Sequence, residues 1–187
     1  MLVFLDFEAS SLSKQSYPIE VAWVFADGQS ESHLIRPAPE WTDWDARAEA
    51  IHHIPRETLL REGTPHDVVA RRMVETLTGH DLVATAPSWD GKWLSALLRA
   101  AGLPRHSLRL RDSDEAHLEA AIDGLRGSLP EATLREAAAN LLALTEVRER
   151  GQQPAHRALA DAEEERQRWL AVREAARIAA EAQAAAR

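Results

Sequence analysis

The sequence contains no cysteine among its 187 residues, which excludes disulfide bridges and zinc sites built on thiolates. The absence of disulfides fits a reducing compartment, so we expect a cytoplasmic protein. Long hydrophobic runs are also lacking. The apolar run at the N-terminus stops at Asp6 and has no basic leader, so it predicts neither a signal peptide nor a membrane span. Without an internal repeat or an obvious linker, the chain is expected to form one domain with a sizeable core.

Positive charge is in short supply, since 30 acidic residues stand against 22 Lys and Arg, for a net charge of −8. Such a protein lacks the basic surface that grips duplex nucleic acid along its backbone, which argues against a DNA-coating protein. An enzyme that acts on nucleic acid is not excluded. Divalent metals held by carboxylates reverse the local field where a phosphate must sit.

The first third of the chain has strand patterns and the rest has mostly helical ones. Strands are predicted at Leu2 to Phe7, Ile19 to Phe25 and Ser32 to Ile35, and the turn residues Ala26-Asp27-Gly28 predict a hairpin between the last two. From Pro65 onward, apolar residues recur at helical spacing. The remaining predicted elements are a helix from Pro65 to Gly79, a strand over 82–86, a helix through Trp93 to Gly102, a strand over 107–110, helices over 115–125 and 133–144, and a long final helix from about His156.

This order of elements predicts an α/β fold in which helices flank a mixed sheet. We expect the domain to cover residues 1–175. The Ala-rich residues 176–187 are weakly amphipathic and are expected to form a helical extension that projects or frays.

Two carboxylates interrupt the first apolar run. Asp6 and Glu8 stand two apart in a predicted strand, so both side chains project to one face. Leu5 and Phe7 then fill the opposite face. Like charges held side by side repel, and a divalent cation is the usual partner that makes such a pair favourable. The alternative is a strand end that frays into a solvated acidic loop.

A third acid, Asp90, lies between Trp89 and Trp93, just after the predicted strand over 82–86 and at the start of a helix. This position suits a functional carboxylate. It also suits a capping or first-turn acid that the helix dipole favours.

His156 and Asp161 stand five residues apart where the last helix begins. Five helical residues turn through about 500°, so the two side chains converge only if His156 lies in the entry turn and Asp161 within the helix. Pro154 favours such an entry. The alternative is a charged, solvated helix face, which the neighbouring acids at 163–165 resemble.

These motifs together resemble the DEDDh family of 3′→5′ exonucleases, the DnaQ-like proofreading and RNA-trimming enzymes. The matching features are D-x-E on the first strand, an aromatic-Asp pair at a helix start, and H-x-x-x-x-D opening a late helix. Their order and spacing agree with the family from residue 2 to about residue 172. The stretch AIHHIPRETL also resembles the family's segment between its third strand and its first long helix.

The resemblance implies a ribonuclease H-like fold with a five-stranded mixed sheet and helices on both sides. It implies that two divalent metal ions, Mg²⁺ or Mn²⁺, are held by Asp6, Glu8, Asp90 and Asp161. His156 would be the general base. The implied reaction is metal-dependent hydrolysis at the 3′ ends of nucleic acid, with release of nucleoside 5′-monophosphates.

The resemblance also implies substrate contacts. Those with the terminal nucleotide would come from Ala9, Ser10, Ser11 and Leu12, just after the first motif. Further substrate-binding candidates are Trp89, which could stack on a base, and His52, which could touch nucleic acid or cap a turn. The expected partners are 3′ ends of single-stranded DNA or RNA, with no membrane partner. A homodimer is an open alternative for the oligomeric state.

The sequence departs from the family at three positions. Ala86 stands where many members have Asn, Trp89 where Phe is usual, and His53 where Gly is common. These departures leave the identity of the substrate open, including the choice between DNA and RNA. They do not affect the expected metal ligands.

Other aromatic and basic residues have less specific patterns. Trp93 shares a helix with apolar neighbours and is expected to pack in the core. Trp41 and Trp44 could form an exposed wedge, although packing is favoured. Lys92, Arg99 and Arg105 are expected to be scattered surface bases. The alternative is that they form a local phosphate-binding strip.

Two other function classes stay open. One is a degenerate domain that binds single-stranded ends without cutting. The presence of all five expected functional residues counts against it. The other is an interaction protein that pairs through its C-terminal helix, with incidental acids. Metal titration separates the classes, because only a nuclease-like site predicts a large, saturable stabilisation.

Overall fold

The computed structural model describes residues 1–149 and 156–186. Pro154, predicted to favour the entry of the last helix, lies outside the described residues. The elements in chain order are β1 (Leu2–Ala9), β2 (Pro18–Phe25), β3 (Ser30–Arg36), α1 (Ala46–His52), α2 (Arg56–Glu62), β4 (Thr64–Pro65), α3 (His66–Leu77), β5 (Asp81–Ala84), α4 (Pro87–Ala100), β6 (Leu110–Asp112), α5 (Ser113–Leu125), α6 (Glu131–Glu149) and α7 (Ala158–Ala185).

The predicted mixed α/β architecture is confirmed. The sheet has the strand order β4-β3-β2-β1-β5-β6, in which β2 pairs antiparallel with both β1 and β3, and β1 pairs parallel with β5. The sheet has six strands rather than the five expected, because two residues, Thr64 and Pro65, pair with the end of β3 and extend its edge. Pro65 was predicted to begin a helix, which instead begins at His66.

Some boundaries differ from the predicted ones. The strand expected over 107–110 is β6, which lies two to three residues later in the chain. Two helices of seven residues each, α1 and α2, were not predicted. The predicted hairpin is present, and Gly28 adopts a φ of 95° in its turn, a conformation that glycine accepts without steric cost.

The chain divides into two compact units. The first comprises residues 1–111 together with 156–163 among the described residues, and the second comprises 112–149 and 164–186. The first unit therefore contains most of the sheet and the beginning of α7. The boundary predicted at residue 175 stays a prediction.

The core of the first unit lies between one face of the sheet and helices α3 and α4. Val3, Leu5, Phe7 and Ala9 of β1 all belong to it, which confirms the predicted alternation along this strand. Other members of this core include Val21, Trp23, Ile35, Val69, Met73, Leu77, Trp93, Leu94, Leu97 and Leu98. The intervening residues of β1, Asp6 and Glu8, therefore project from the other face of the sheet.

The second unit is helical and has its own core, formed by buried residues of α5, α6 and α7. Gly124 of α5 lies so close to α7 that a Cβ atom there would stand 2.6 Å from the Cβ of Ala176. The Ala-rich segment, expected to project or fray, begins within this core at the fully buried Ala176 and is helical through Ala185. Among the described residues, no helix combines the length and the apolar character needed to cross a membrane.

Candidate metal centre

Strand β1 supplies the first two carboxylates of the candidate site. Asp6 lies opposite Ala22 of β2, and Glu8 lies opposite Glu20. Glu8 and Glu20 are two acids held as cross-strand neighbours, an arrangement that is destabilising unless other charges compensate it.

The environment of these carboxylates disfavours their charged forms. Burial raises the pKa of Asp6 well above its usual range, and the charges of Asp90, Glu8 and Asp161 raise it further. Burial also raises the pKa of Glu8 to about 8, with further contributions from Asp161 and Glu20. This mutual influence shows that the carboxylates of β1, α4 and α7 form one electrostatic cluster.

Asp90 reaches this cluster from the first turn of α4. The helix begins at Pro87, two residues beyond the end of β5, and its N-cap residue Ala86 makes no side-chain hydrogen bond to the helix start. Asp90 does lie in the first turn, as the helix-dipole alternative requires, but it is buried rather than solvated. Burial raises its pKa to about 7, and backbone hydrogen bonds at Ala86 and Phe7 act in the opposite direction.

The beginning of α7 brings His156 and Asp161 to the same place. His156 lies two residues before the first residue of the helix and adopts a left-handed backbone conformation with a φ of 51°. Asp161 lies in the first helical turn, and its N–H donates to the carbonyl of Arg157 at 3.0 Å. Potential ligand atoms of Glu8, His156 and Asp161 all lie within 4.8 Å of one another. The predicted convergence of the last motif is confirmed.

Glu20 and Arg157 also belong to this site, and sequence reasoning missed both. Glu20 is 4% exposed. Its Oε1 accepts from Nη2 of Arg157 at 2.7 Å, and its Oε2 accepts from Nε of Arg157 at 3.1 Å. The backbone N–H of Ala158 donates to the same Oε2 at 3.0 Å. An acid within the otherwise apolar stretch IEVAWVF was the available signal, because charged residues are almost never buried unless they are paired.

The residues present fit a divalent cation. Burial raises the pKa of Asp6, Glu8 and Asp90, and the charges of Asp90 and Glu8 raise that of Asp6 further, which makes the site unfavourable for anions unless positive charge is added. Carboxylate oxygens are the ligands that Mg²⁺ and Mn²⁺ prefer. The imidazole of His156 adds a nitrogen ligand or a base beside them.

The loop after β1 presents one exposed apolar side chain. Leu12 is 71% exposed, whereas Ala9, Ser10 and Ser11 are buried. The hydroxyls of both serines donate to Asp43. The side chains of Ser10 and Ser11, predicted to bind substrate, are therefore engaged within the protein, and Leu12 is the member of this stretch that can meet a ligand.

Trp89 and Lys92 lie together on α4 beside this loop. Trp89 is 37% exposed, and Nζ of Lys92 lies 4.9 Å from its ring centroid. The same ammonium group donates to the carbonyl of Ser13 at 2.6 Å and to Oγ of Ser16 at 2.8 Å. Lys92 thus fixes the loop against α4 instead of forming a phosphate strip, while Trp89 keeps an exposed ring. Trp93 packs in the core, as predicted.

His52 is not available as a substrate contact. Its side chain is buried, and its Nδ1 accepts the backbone N–H of Ile54 at 3.0 Å, so the turn-capping alternative is the one observed. The following residue, His53, has a φ of 56° where the family commonly has Gly. Trp41 and Trp44 are half-buried and packed, as favoured, with Trp41 stacked on Tyr17 at a centroid distance of 5.2 Å.

The fold is that of known exonucleases. Similar solved structures are exonuclease I from Methylocaldum szegediense (18% identity, TM-score 0.64, covering 92% of this chain and 40% of that one) and E. coli exonuclease I with a dA16 oligonucleotide (16% identity, TM-score 0.63, covering 92% and 41%). A zinc-bound complex of the E. coli protein with single-stranded DNA has 18% identity and a TM-score of 0.61, covering 89% and 38%. The chain thus spans about two fifths of the length of these proteins. No family model and no curated protein matches the sequence.

The similarity confirms the ribonuclease H-like fold and, at the level of the fold, the resemblance to DnaQ-like exonucleases. At these identities it assigns no role to any residue of this chain.

Proposed function

We propose that this protein is a metal-dependent 3′→5′ exonuclease that removes nucleotides from single-stranded ends and releases nucleoside 5′-monophosphates. The observation that carries the proposal is the convergence of Glu8, His156 and Asp161, whose potential ligand atoms lie within 4.8 Å of one another, together with the charges of Asp90, Glu8 and Asp161 that act on Asp6. These residues come from three separated segments and meet at one place. The same fold in exonuclease I supports the reading. A cytoplasmic location stays a prediction.

The four carboxylates would hold the metal ions. When bound, two divalent cations neutralise the cluster and stabilise the negative charge that develops on a phosphodiester during hydrolysis. The protein's part is to hold Asp6 and Glu8 rigidly on a central strand and to bring Asp90 and Asp161 to them from two helix starts. Rigid secondary structure keeps such a constellation more precise than loops do.

His156 would act as the general base. It is exposed, and its backbone lies before the first turn of α7 rather than within it. In this position the neutral imidazole can take a proton from the attacking water, and the carboxylate oxygens of Asp6 and Asp90 stay available as metal ligands.

The substrate is proposed to be a single strand. Leu12 and Trp89 offer exposed apolar surface on the loop and helix beside the site, which suits contact with unstacked bases. A net charge of −8 leaves little basic surface for a duplex backbone. DNA is the first substrate to test, because exonuclease I is described in complex with single-stranded DNA.

We expect a 5′-labelled single-stranded oligonucleotide with Mg²⁺ to yield a ladder that shortens from the 3′ end, and a 3′-labelled one to release labelled mononucleotide at once. Matched DNA and RNA oligonucleotides identify the preferred sugar, and a blunt duplex should be cut more slowly. Binding without cleavage under all metal conditions would favour the non-catalytic end-binding domain. Equal rates on single strand and blunt duplex would contradict the proposed substrate.

Addition of Mn²⁺ is expected to raise the melting temperature saturably, and more at pH 8 than at pH 5.5. The raised pKa values of Glu8 and Asp90, about 8 and about 7, mean that protons compete with the metal at the lower pH. Thermal unfolding at several Mn²⁺ concentrations and both pH values checks this. Asp27→Asn, which alters an exposed acid in the β2–β3 turn, is the control and should leave the stabilisation unchanged. A stabilisation independent of pH would argue against binding at the buried carboxylates.

Trp89→Ala is expected to raise KM for a single-stranded oligonucleotide by about 5- to 150-fold, given about 1–3 kcal/mol per stacked base. Leu12→Ala is expected to raise KM by a smaller factor, because leucine offers apolar contact without a ring on which a base can stack. Leu60→Ala, a change at another exposed leucine, which lies on α2, serves as the control. Steady-state kinetics with each variant would show the effect. If Leu12→Ala and Leu60→Ala behave alike, the exposed leucine after β1 is not a substrate contact.

A further inference from the structure

We propose that Glu20 and Arg157 are positioning residues that fix the turn carrying His156 and the first turn of α7 against the central strands. This inference rests on the proposed function for its catalytic consequence only. Its structural consequence can be measured in the metal-free protein.

The contacts of Glu20 reach the start of α7 from strand β2. One carboxylate binds the Arg157 guanidinium through two nitrogen atoms and also accepts the N–H of Ala158. The first N–H groups of a helix have no partner within it, so an acceptor from outside is needed when the helix start is buried. Ala158 is buried, and Glu20 supplies that acceptor from 138 residues away in sequence.

The position of Glu20 in the sheet connects this anchor to the metal centre. Glu20 is the cross-strand neighbour of Glu8, so the start of α7 is anchored beside one of the proposed ligands. His156 precedes Arg157 directly, and Asp161 follows it within the first turn. Holding Arg157 and Ala158 therefore fixes the two residues that must converge on Glu8.

The conformation of His156 gives a second reason for an anchor. A φ of 51° is uncommon for a residue other than Gly, and such a backbone persists only where the surroundings impose it. The next two residues of the chain are the ones that Glu20 holds. Without that anchor, the turn is expected to relax and carry the imidazole away from Glu8.

The arrangement also balances charge. Arg157 lowers the pKa of Glu8, whereas Asp161 and Glu20 raise it. The side chain of Arg157 is 52% exposed, while that of Glu20 is 5% exposed. Substitution of Arg157 is therefore the milder change for folding, and substitution of Glu20 is the more complete removal of the anchor.

The first measurement is native-state hydrogen exchange in the metal-free protein. In Glu20→Ala, the amide of Ala158 is expected to exchange at least about tenfold faster, because its acceptor is gone. Glu20→Gln keeps an oxygen acceptor for this amide and should exchange at an intermediate rate. Glu31→Ala is the matched control, since Glu31 forms a comparable two-nitrogen pair with Arg72 on β3 and α3.

The second measurement separates positioning from general stability. Glu20→Ala and Arg157→Ala are expected to weaken Mn²⁺ binding about tenfold by calorimetry and to lower the single-turnover cleavage rate about 10- to 100-fold, with KM for the oligonucleotide unchanged. Arg157→Lys should restore part of both, because one charged hydrogen bond can re-form. Glu31→Ala should change neither quantity.

The outcomes distinguish the two proposals. If the native protein cleaves nothing but the Ala158 exchange and Mn²⁺ affinity change as expected, the anchor stands and the proposed function fails. If Ala158 exchange and Mn²⁺ affinity in Glu20→Ala remain within twofold of native, the anchor is wrong. Should Glu20→Ala fail to fold, Arg157→Ala decides, and an unchanged Mn²⁺ affinity in that variant overturns the proposal.

Discussion

Asp6→Asn is expected to abolish cleavage and, at pH 8, to make the metal-free protein more stable than the native one. The charges of Asp90, Glu8 and Asp161 all act on the carboxylate of Asp6. Loss of one metal ligand removes several kcal/mol of transition-state stabilisation, which corresponds to a rate loss of about 10³-fold or more.

The stability gain follows from the sign of the pKa shifts. The folded protein holds protons on Glu8 up to about pH 8 and on Asp90 up to about pH 7, whereas the unfolded chain releases them near pH 4. The free energy of unfolding of the metal-free protein therefore falls as the pH rises from about 4 to 8. Removal of the Asp6 charge makes this decline shallower. About 1 kcal/mol of relieved repulsion would raise the melting temperature by about 2 to 4 °C.

Thermal unfolding between pH 5 and 8 in the presence of a chelator, together with cleavage assays in Mg²⁺, tests both parts. Asp27→Asn is again the control, since this acid lies in the exposed β2–β3 turn. Cleavage that survives Asp6→Asn would remove the metal-centre assignment. A mutant that is inactive and also less stable at pH 8 would instead indicate a structural role for Asp6.

His156→Ala is expected to retain metal binding and to slow hydrolysis by roughly 10² to 10⁴, the usual contribution of a general base. The rate of the native protein should rise with pH, because only the neutral imidazole accepts a proton. The pH dependence should weaken in the mutant. Single-turnover cleavage at saturating metal, measured at several pH values for both proteins, isolates the histidine contribution.

His53 provides a matched control for this experiment. It is the other non-glycine residue with a positive φ among the described residues, at 56° against 51° for His156. Alanine is strained at both positions, so a loss caused by backbone strain alone would appear in both variants. His156→Asn offers a second test, because asparagine tolerates this conformation. Loss of metal in His156→Ala would make the residue a ligand, and an unchanged rate would place the base elsewhere.

The alternation of residues along β1 explains why so much was predictable from sequence. Asp6 and Glu8 stand two positions apart in an apolar stretch, so a continuous strand places both on the face opposite Leu5 and Phe7, as the structure shows. The last motif was predictable for a similar reason, because only one placement of His156 and Asp161 allows them to meet. The helices α3 and α4 have strong helical periodicity and were predicted close to their observed bounds.

The other elements and contacts could not be predicted from the sequence, because they depend on tertiary contacts. Helices α1 and α2 have seven residues each, too few for a clear periodicity. Strand β4 has two residues, one of them a proline, and exists because it pairs with the end of β3. Glu20 and Arg157 stand 137 positions apart, so no local pattern joins them. Ser10, Ser11 and His52 were predicted as substrate contacts because the sequence does not show that Asp43 binds the two serine hydroxyls or that His52 is buried.

The pairing of β1 with β5 runs from Leu2 to Phe4, opposite Asp81 to Val83. β5 ends at Ala84, and the chain then needs only two residues to reach α4, whose first turn carries Asp90 into hydrogen-bonding range of the Phe7 backbone. The length of this connection therefore sets how close Asp90 comes to the acids of β1. Insertion of a single residue between Ala84 and Pro87 should inactivate the protein, whereas the same insertion in the Ala26–Gly28 turn should be tolerated. Natural variation in chain length is expected to occur in the turn and not in the connection between β5 and α4.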